Sequence, residues 1–289
     1  MMKISVVFLG GLLFIFLNMS GCTLNNNGNI VGEPSTGNPK NNKKVALVIG
    51  NGAYKIEPLT NPANDAHDMA AILREVGFQV TLVVNVNKTS IEKAINTFQQ
   101  KLRKNGAGIF YYSGHAVQYK NENYIIPVGA METIATIDKS KKSAIQAFKA
   151  QVVKIENVIA VMEQAKNKLN IVFLDAYRDN PFKNFKKSIA SGWTSGVAFT
   201  SDAERMLIAY AASPEKGVLS SQGHNSHYTE QLLQFIKQPL PIEFVLKKVR
   251  AAVKKKTNGQ QIPWYAASIE GNFEFFISTE DISTVISYP

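Results

Sequence analysis

The sequence predicts one α/β domain over residues 43–277, built on a mostly parallel sheet with helices on both faces. Short runs of consecutive apolar residues, such as residues 45–49, are typical of strands that are buried on both faces. These runs alternate with segments whose apolar residues recur at helical spacing, which is the pattern of strand–helix–strand units. With 289 residues, 45% of them hydrophobic, the chain is long enough to bury a core without metals or disulfides.

The individual elements follow from these patterns in chain order. Residues 45–49 predict the first strand, which ends at Gly50 and Gly52. Residues 64–76 predict a helix that Gly77 stops, and residues 78–84 predict a second strand rich in β-branched residues. The same patterns predict strands over residues 107–112, 170–174 and 206–211 and helices over residues 89–102, 155–165, 228–236 and 242–255.

Residues 1–22 have the pattern of an export signal. A positive start is followed by an apolar run over residues 4–17, which is short for a membrane span but suits a secretory signal peptide. The segment ends on Cys22, the only cysteine of the chain, and this ending resembles the bacterial lipobox, whose cysteine is lipidated. The resemblance implies a lipoprotein of the bacterial cell envelope, in the outer membrane if the organism is Gram-negative. An ordinary signal peptide or an uncleaved anchor is the alternative.

Two further segments flank the domain. Residues 23–42 are dominated by Asn, Gly, Pro, Ser and Lys and hold few apolar residues, so we expect a disordered tether there. Residues 278–289 are expected to be a C-terminal tail.

The charge and the single cysteine limit the classes of function. A net charge of +10 favours acidic partners, although a solvated lysine-rich surface is the simpler explanation. The sequence has neither zinc-ligand spacing nor a base-reading helix, so no nucleic-acid partner, metal or cofactor is predicted. His224 and His227 lack an evident third ligand, which favours a surface loop. A basic cluster on the last predicted helix is either a solvated face or a membrane-facing patch; it comprises Lys247, Lys248, Arg250, Lys254, Lys255 and Lys256.

Polar side chains follow two of the predicted strands. Ser113, Gly114 and His115 come after the third strand, and Asp175 and Tyr177 come after the fourth. In open parallel sheets, the chemistry gathers at the carboxyl ends of the strands. A histidine beside a glycine at such an end suits a general base, although a lone histidine is more often structural.

Four segments in order along the domain resemble the caspase-like peptidases of the metacaspase and orthocaspase kind. They are residues 48–54 (VIGNGAY), 59–66 (LTNPANDA), 111–116 (YYSGHA) and 174–181 (LDAYRDNP), and the likeness continues through residues 211–214 (AASP) and 261–264 (QIPW). The resemblance implies a caspase–haemoglobinase fold, with a mostly parallel six-stranded sheet between helices in a single domain.

The resemblance also implies roles for individual residues. His115 takes the position of the general base, and the Gly114 amide that of the oxyanion donor. Asp65 and Asp175 match acidic residues that line a pocket for arginine or lysine, while Asp65 at a helix start has a cap as its alternative role. The nucleophilic cysteine is expected 62 residues after His115, where this chain has Tyr177.

Tyrosine at this position predicts the loss of cysteine peptidase chemistry. A phenol, with a pKa of about 10, is not readily ionised beside a histidine, whereas a thiol, with a pKa of about 8.5, is. The phenol oxygen also lies far beyond a cysteine sulfur, and the ring fills the space of the scissile carbonyl. We therefore expect a pseudopeptidase that binds basic peptide segments. The alternatives are a residual hydrolase with another nucleophile, for which Ser113 is poorly oriented, and a structural envelope protein.

Overall fold

The structure is a computed structural model, and it describes residues 44–119, 122–137, 143–177, 205–213 and 217–275. Residues 22–24, 30–32 and 193–194 form three further short strands, and these residues and Tyr177 are described by their backbone alone. The chain forms two compact units, Met1–Asn42 and Lys43–Pro289. In the first unit, β1 (Cys22–Leu24) pairs antiparallel with β2 (Ile30–Gly32). The signal segment over 1–21, most of the tether and the tail over 278–289 lie outside the described residues, so these assignments stay predictions.

A mostly parallel sheet organises the second unit, as the sequence predicts. Its main path has the order β11–β10–β8–β5–β3–β4. Neighbouring strands from β10 to β4 are parallel, and β11 pairs antiparallel with β10 at the edge. The bounds are β3 (Lys44–Gly50), β4 (Gln79–Val84), β5 (Ala107–Tyr119), β8 (Leu169–Tyr177), β10 (Met206–Tyr210) and β11 (Trp264–Ala267).

The described residues form seven helices, most of which pack on the two faces of this sheet. They are α1 (Pro62–Glu75), α2 (Lys88–Lys101), α3 (Ala130–Ala135), α4 (Ala144–Lys149), α5 (Ile155–Gln164), α6 (His227–Phe235) and α7 (Ile242–Lys256). One apolar cluster joins α1, α6 and α7 to sheet residues such as Tyr111 and Phe173. A second cluster joins α2 and α5 to Phe110 and Val172 on the opposite face. This alternation along β5 and β8 is what a strand buried on both faces requires.

The predicted end of the third strand is wrong. The sequence predicts a stop at residue 112, but β5 continues to Tyr119. The extension is stabilised by partners outside the main path, because β6 (Glu122–Ile125) and β9 (Trp193–Thr194) pair antiparallel with it. β7 (Val153–Lys154) then pairs with β6. These three strands, α3 and α4 have two to six residues each, too few to show a period in the sequence.

The second unit carries its own core. All three apolar clusters of the described residues consist of residues between 45 and 275, including a third that packs α3 and α4 beside β6. Burial of this apolar surface supplies the main driving force for folding, so the unit Lys43–Pro289 is expected to fold alone. Within the described residues, no helix is both long and apolar enough to cross a bilayer.

Candidate active site

The two polar segments lie side by side, one at the end of β8 and the other within β5, which continues beyond His115 to Tyr119. β5 runs parallel to β8, with Ser113 opposite Asp175, Gly114 opposite Ala176 and His115 opposite Tyr177. The sheet therefore brings the expected base position and residue 177 onto adjacent strands. For Tyr177 this statement concerns the backbone.

A backbone carbonyl orients the ring of His115. The ring is 2% exposed, and its Nε2 lies 2.7 Å from the carbonyl oxygen of Glu57. A carbonyl oxygen only accepts hydrogen bonds, so Nε2 carries the proton, and a neutral ring then keeps its lone pair on Nδ1. The ring of Tyr54 lies 4.7 Å from the imidazole, centroid to centroid, at an angle of 58°. This is the tautomer that the expected base, acting through Nδ1, would need, and the catalytic role itself stays a prediction.

Glu57 adopts a strained conformation to present this carbonyl. Its φ is +53°, in the left-handed region, and this conformation costs a residue with a Cβ about 1–2 kcal/mol of conformational free energy. Such strain persists where surrounding structure imposes it, and it is frequent at functional sites. Sequence reasoning missed Glu57, because a backbone carbonyl leaves no signal in the residue type.

Gly114 occupies a position that only glycine fits. Its φ is +154°, and an added Cβ would lie 2.6 Å from the Oη of Tyr112 and 2.9 Å from the carbonyl oxygen of Asn51. Both distances are below van der Waals contact. This packing accounts for the glycine, while the expected role of its amide as an oxyanion donor stays a prediction.

Asp65 and Asp175 form a fully buried acid pair bridged by one serine. The Ser226 amide donates to Oδ1 of Asp65 at 2.9 Å, and the Ser226 hydroxyl donates to Oδ2 of Asp175. Ser113 Oγ donates to Asp65 at 2.9 Å, and Thr229 Oγ1 donates to Asp175 at 2.7 Å. The donors to Asp65 come from other elements, so the helix-cap alternative does not describe its contacts. Ser226 itself caps the N-terminus of α6, because its Oγ accepts a hydrogen bond from the Thr229 amide at 2.9 Å.

Burial raises the pKa of both carboxyls above the ordinary value of 3.8. For Asp65, the nearby charge of Asp175 raises the pKa further, while the bonds from Ser226 and Ser113 lower it. No lysine or arginine of the described ranges forms an ion pair with either carboxylate. Oδ1 of Asp175 is buried and accepts no hydrogen bond from the described residues. The pair therefore keeps a proton at pH values where an exposed aspartate has lost it.

A short loop closes the site over the acid pair. This closing loop comprises residues 221–226, and hydrogen bonds hold it to α1 and to Asn61, the residue before α1. Asn61 Nδ2 donates to the carbonyl oxygen of Gly223 at 2.7 Å, and Asn225 Nδ2 donates to Oδ2 of Asp68 at 3.0 Å. His224 also contacts Asp68, at 3.2 Å, and its side chain is largely exposed, as a surface loop requires. Ser226 lies between Asp65 and Asp175 and hydrogen-bonds to both, while their expected role as pocket residues stays a prediction.

The arrangement places an oriented histidine near a buried acid pair. No group of three His, Cys, Asp or Glu side chains that could hold a metal occurs in the described part of the chain. Ser226 was not recognised from the sequence, although serine is a preferred residue before the first turn of a helix.

Comparison with known proteins agrees with this geometry. The family described as the caspase domain matches residues 43–274. The "Mucosa-associated lymphoid tissue lymphoma translocation protein 1 homolog" of Mus musculus is 27% identical over 156 residues, which is 54% of this chain and 17% of the relative. Its Homo sapiens counterpart is 27% identical over 147 residues, 50% of this chain and 16% of that protein. The chain thus spans about a sixth of the length of these curated relatives.

Two solved structures share the fold. Protein GSU0716 from Geobacter sulfurreducens superimposes with a TM-score of 0.54 at 18% identity, covering 80% of this chain and 95% of that one. The Drosophila initiator caspase Dronc superimposes with a TM-score of 0.53 at 13% identity, covering 80% of this chain and 81% of that one. Because the family match extends over residues 43–274, most of the sequence, the chain belongs to the caspase domain family of C14 peptidases.

Proposed function

We propose that this chain is a membrane-anchored, caspase-like pseudopeptidase that binds basic peptide segments without cleaving them. The observation that carries the proposal is the pairing of His115 with Tyr177 across adjacent strands, at the position where family resemblance expects the nucleophilic cysteine. The only cysteine of the chain, Cys22, belongs to the other compact unit.

The chemistry of the site supports the loss of cleavage. A tyrosine hydroxyl with an ordinary pKa of about 10 is rarely ionised near neutral pH, and a neutral phenol is a poor nucleophile. Ser113 offers no substitute, since it is fully buried and its hydroxyl donates to Asp65. No contact in the described residues favours the alternative of a residual hydrolase.

The acid pair supports the binding of a basic side chain. Two buried carboxylates without a cation lose hydration, and a guanidinium or ammonium group would restore a charge partner and donors together. The Ser226 amide and hydroxyl now occupy that place, so binding requires the closing loop to move. Because the bound cation stabilises the ionised carboxylates, the pair releases its proton on binding. Affinity should therefore rise with pH.

Peptide titration tests this part of the proposal. A fluorescent peptide with one central arginine is titrated at pH 6 and pH 8, beside a matched peptide with glutamine there. We expect tighter binding of the arginine peptide, increasing with pH, and loss of binding in Asp175→Asn. Ser226→Gly removes the hydroxyl that competes for Asp175 and should strengthen binding severalfold. Equal affinity for both peptides at both pH values would overturn the proposal of a basic-peptide site.

The membrane anchor rests on Cys22 at the end of the apolar segment. Metabolic labelling with a radioactive fatty acid, followed by separation of the membrane fraction, tests it. We expect label on the wild-type chain and none on Cys22→Ser. Unlabelled wild type would remove the anchor from the proposal and leave the peptide site standing.

A further inference from the structure

The outward face of α7 carries a stripe of cations with an aromatic residue at one end. α7 packs on the sheet through Ile242, Val245, Leu246, Val249 and Val253. The opposite side is exposed and consists of Phe244, Lys247, Lys248, Ala251, Lys254 and Lys255. Spacings of three and four residues place this second set along one side of the helix, which is called the α7 stripe below.

Phe244 is unusual among the described residues. Its side chain is 55% exposed, and the only other large hydrophobic residue exposed in those ranges is Ile56, at 39%. The Lys247 ammonium lies 4.9 Å from the centre of the Phe244 ring. One turn away, the Lys248 ammonium lies 5.7 Å from the ring of Phe235. Aromatic rings with lysine ammoniums beside them suit the boundary between apolar and polar media.

The α7 stripe has no acidic residue to balance its four lysines. Glu243 lies in the first turn of α7 and is half-buried. Glu230 forms an ion pair with Lys256, outside the stripe. Within the described residues, no ion pair joins the stripe lysines to a carboxylate. The face therefore presents four positive charges and one exposed ring.

We propose that the α7 stripe docks onto an anionic lipid surface. A helix with cations and an aromatic residue on its outer face matches the composition of helices that lie in the bilayer interface. Each lysine near an anionic membrane strengthens binding roughly fivefold, so four give several hundredfold. The exposed ring favours lipid over a purely polyanionic partner, because only the bilayer interface takes up an apolar side chain.

The inference stands on α7 alone and does not require Cys22 to be lipidated. If Cys22 is anchored, the domain stays near the bilayer, where weak docking suffices.

Vesicle sedimentation of the unit Lys43–Pro289 tests the proposal without the anchor. Vesicles of phosphatidylcholine alone are compared with vesicles that also contain phosphatidylserine, at low and high salt. We expect binding to the anionic vesicles alone, weakened by salt. In Lys247→Ala/Lys248→Ala, binding should fall by about thirtyfold, and in Phe244→Ala severalfold.

The matched control is Lys93→Ala/Lys104→Ala, which removes the same charge from exposed positions away from the stripe. This variant should bind within about twofold of the parent. Absence of binding to anionic vesicles, or an equal loss in the control, would overturn the proposal. So would tighter binding of duplex DNA with no effect of Phe244→Ala on vesicles, an outcome that assigns the stripe to soluble polyanions.

Discussion

His115 is held in one orientation by a backbone carbonyl and by an aromatic ring. The Glu57 carbonyl fixes the proton on Nε2, and Tyr54 packs against the ring. The proposed base is therefore oriented without any contribution from residue 177, which is a tyrosine. Under the proposal, a caspase-like domain can exchange its nucleophile and keep the rest of its site, because local packing and a backbone carbonyl position the histidine.

The acid pair makes a prediction about pH at the residue scale. Both folded-state pKa values are raised above 3.8, so the folded state binds more protons than the unfolded state above that pH. Stability should thus fall as pH rises, by at most about 1.4 kcal/mol per pH unit for each proton, until both groups have ionised. Urea unfolding at pH 5, 7 and 9 measures this fall.

Asp65→Asn removes one member of the pair and should flatten that dependence. Asp68→Asn is the control, since Asp68 lies at the surface with His224 and Asn225 and should leave the slope unchanged. A wild-type stability that rises between pH 5 and 9, or an equal slope in Asp65→Asn, would contradict the assignment of a shared proton.

At this scale, the sequence located the positions of the site and missed the contacts that close it. The family resemblance assigned His115, Tyr177, Asp65 and Asp175 to one site in advance. In the structure, these residues lie on the adjacent strands β5 and β8 and in the first turn of α1. Ser226 could not, since its contact with Asp65 spans 161 residues of chain and depends on how α6 meets the sheet.

At the scale of elements, the N-terminus of α6 stabilises the domain through two contacts of one side chain. Ser226 caps the helix and donates to Asp175. Ser226→Ala should lower the free energy of unfolding by about 2 kcal/mol, from the lost cap and from a buried carboxylate that loses a donor. Chemical denaturation measures the loss.

Asn87→Ala supplies the matched control for that change. Asn87 caps α2 by accepting from the Ser90 amide at 3.0 Å, at an exposed position away from the acid pair. Asn87→Ala should lower the free energy of unfolding by about 1 kcal/mol. Equal losses in the two variants would show that the bond to Asp175 adds nothing to the cap.

The approach of α1 to β3 requires a glycine at their junction. A Cβ on Gly50 would lie 2.1 Å from the carbonyl oxygen of Pro62 and 2.6 Å from the Cβ of Ala66. Gly50→Ala should therefore lower the free energy of unfolding by about 3 kcal/mol, since the backbone must move to make room for the added methyl group. Gly217→Ala is the control, because nothing lies within 4 Å of its added Cβ. A change below 1 kcal/mol for Gly50→Ala in urea unfolding would contradict this close packing.

The elements that could be predicted are those with a long or continuous apolar pattern. β3, β8, α1 and α2 were recognised because their buried residues repeat at the period of the element. The stretch over 113–154 was not, since β6, α3 and α4 are short and are stabilised by packing on one another rather than by their own periodicity.

At the scale of the whole molecule, strand order determines the site. β5 and β8 are neighbours in the sheet although 49 residues separate the end of one from the start of the other. The sequence alone indicated a parallel sheet. The order of its strands was not predicted, because strand–helix alternation is compatible with several orders.

The absence of cleavage is the central claim, and the activity of two chains tests it directly. The unit Lys43–Pro289 is incubated with a fluorogenic peptide that ends in arginine before the reporter, beside its Tyr177→Cys variant. Tyr177→Cys/His115→Ala is the control, since a cysteine without its base should lose most of the activity.

The account predicts no turnover by wild type, turnover at least a hundredfold above background by Tyr177→Cys, and loss of that turnover in the double variant. Turnover by wild type that disappears in His115→Ala would contradict the account and show that another nucleophile works beside this base.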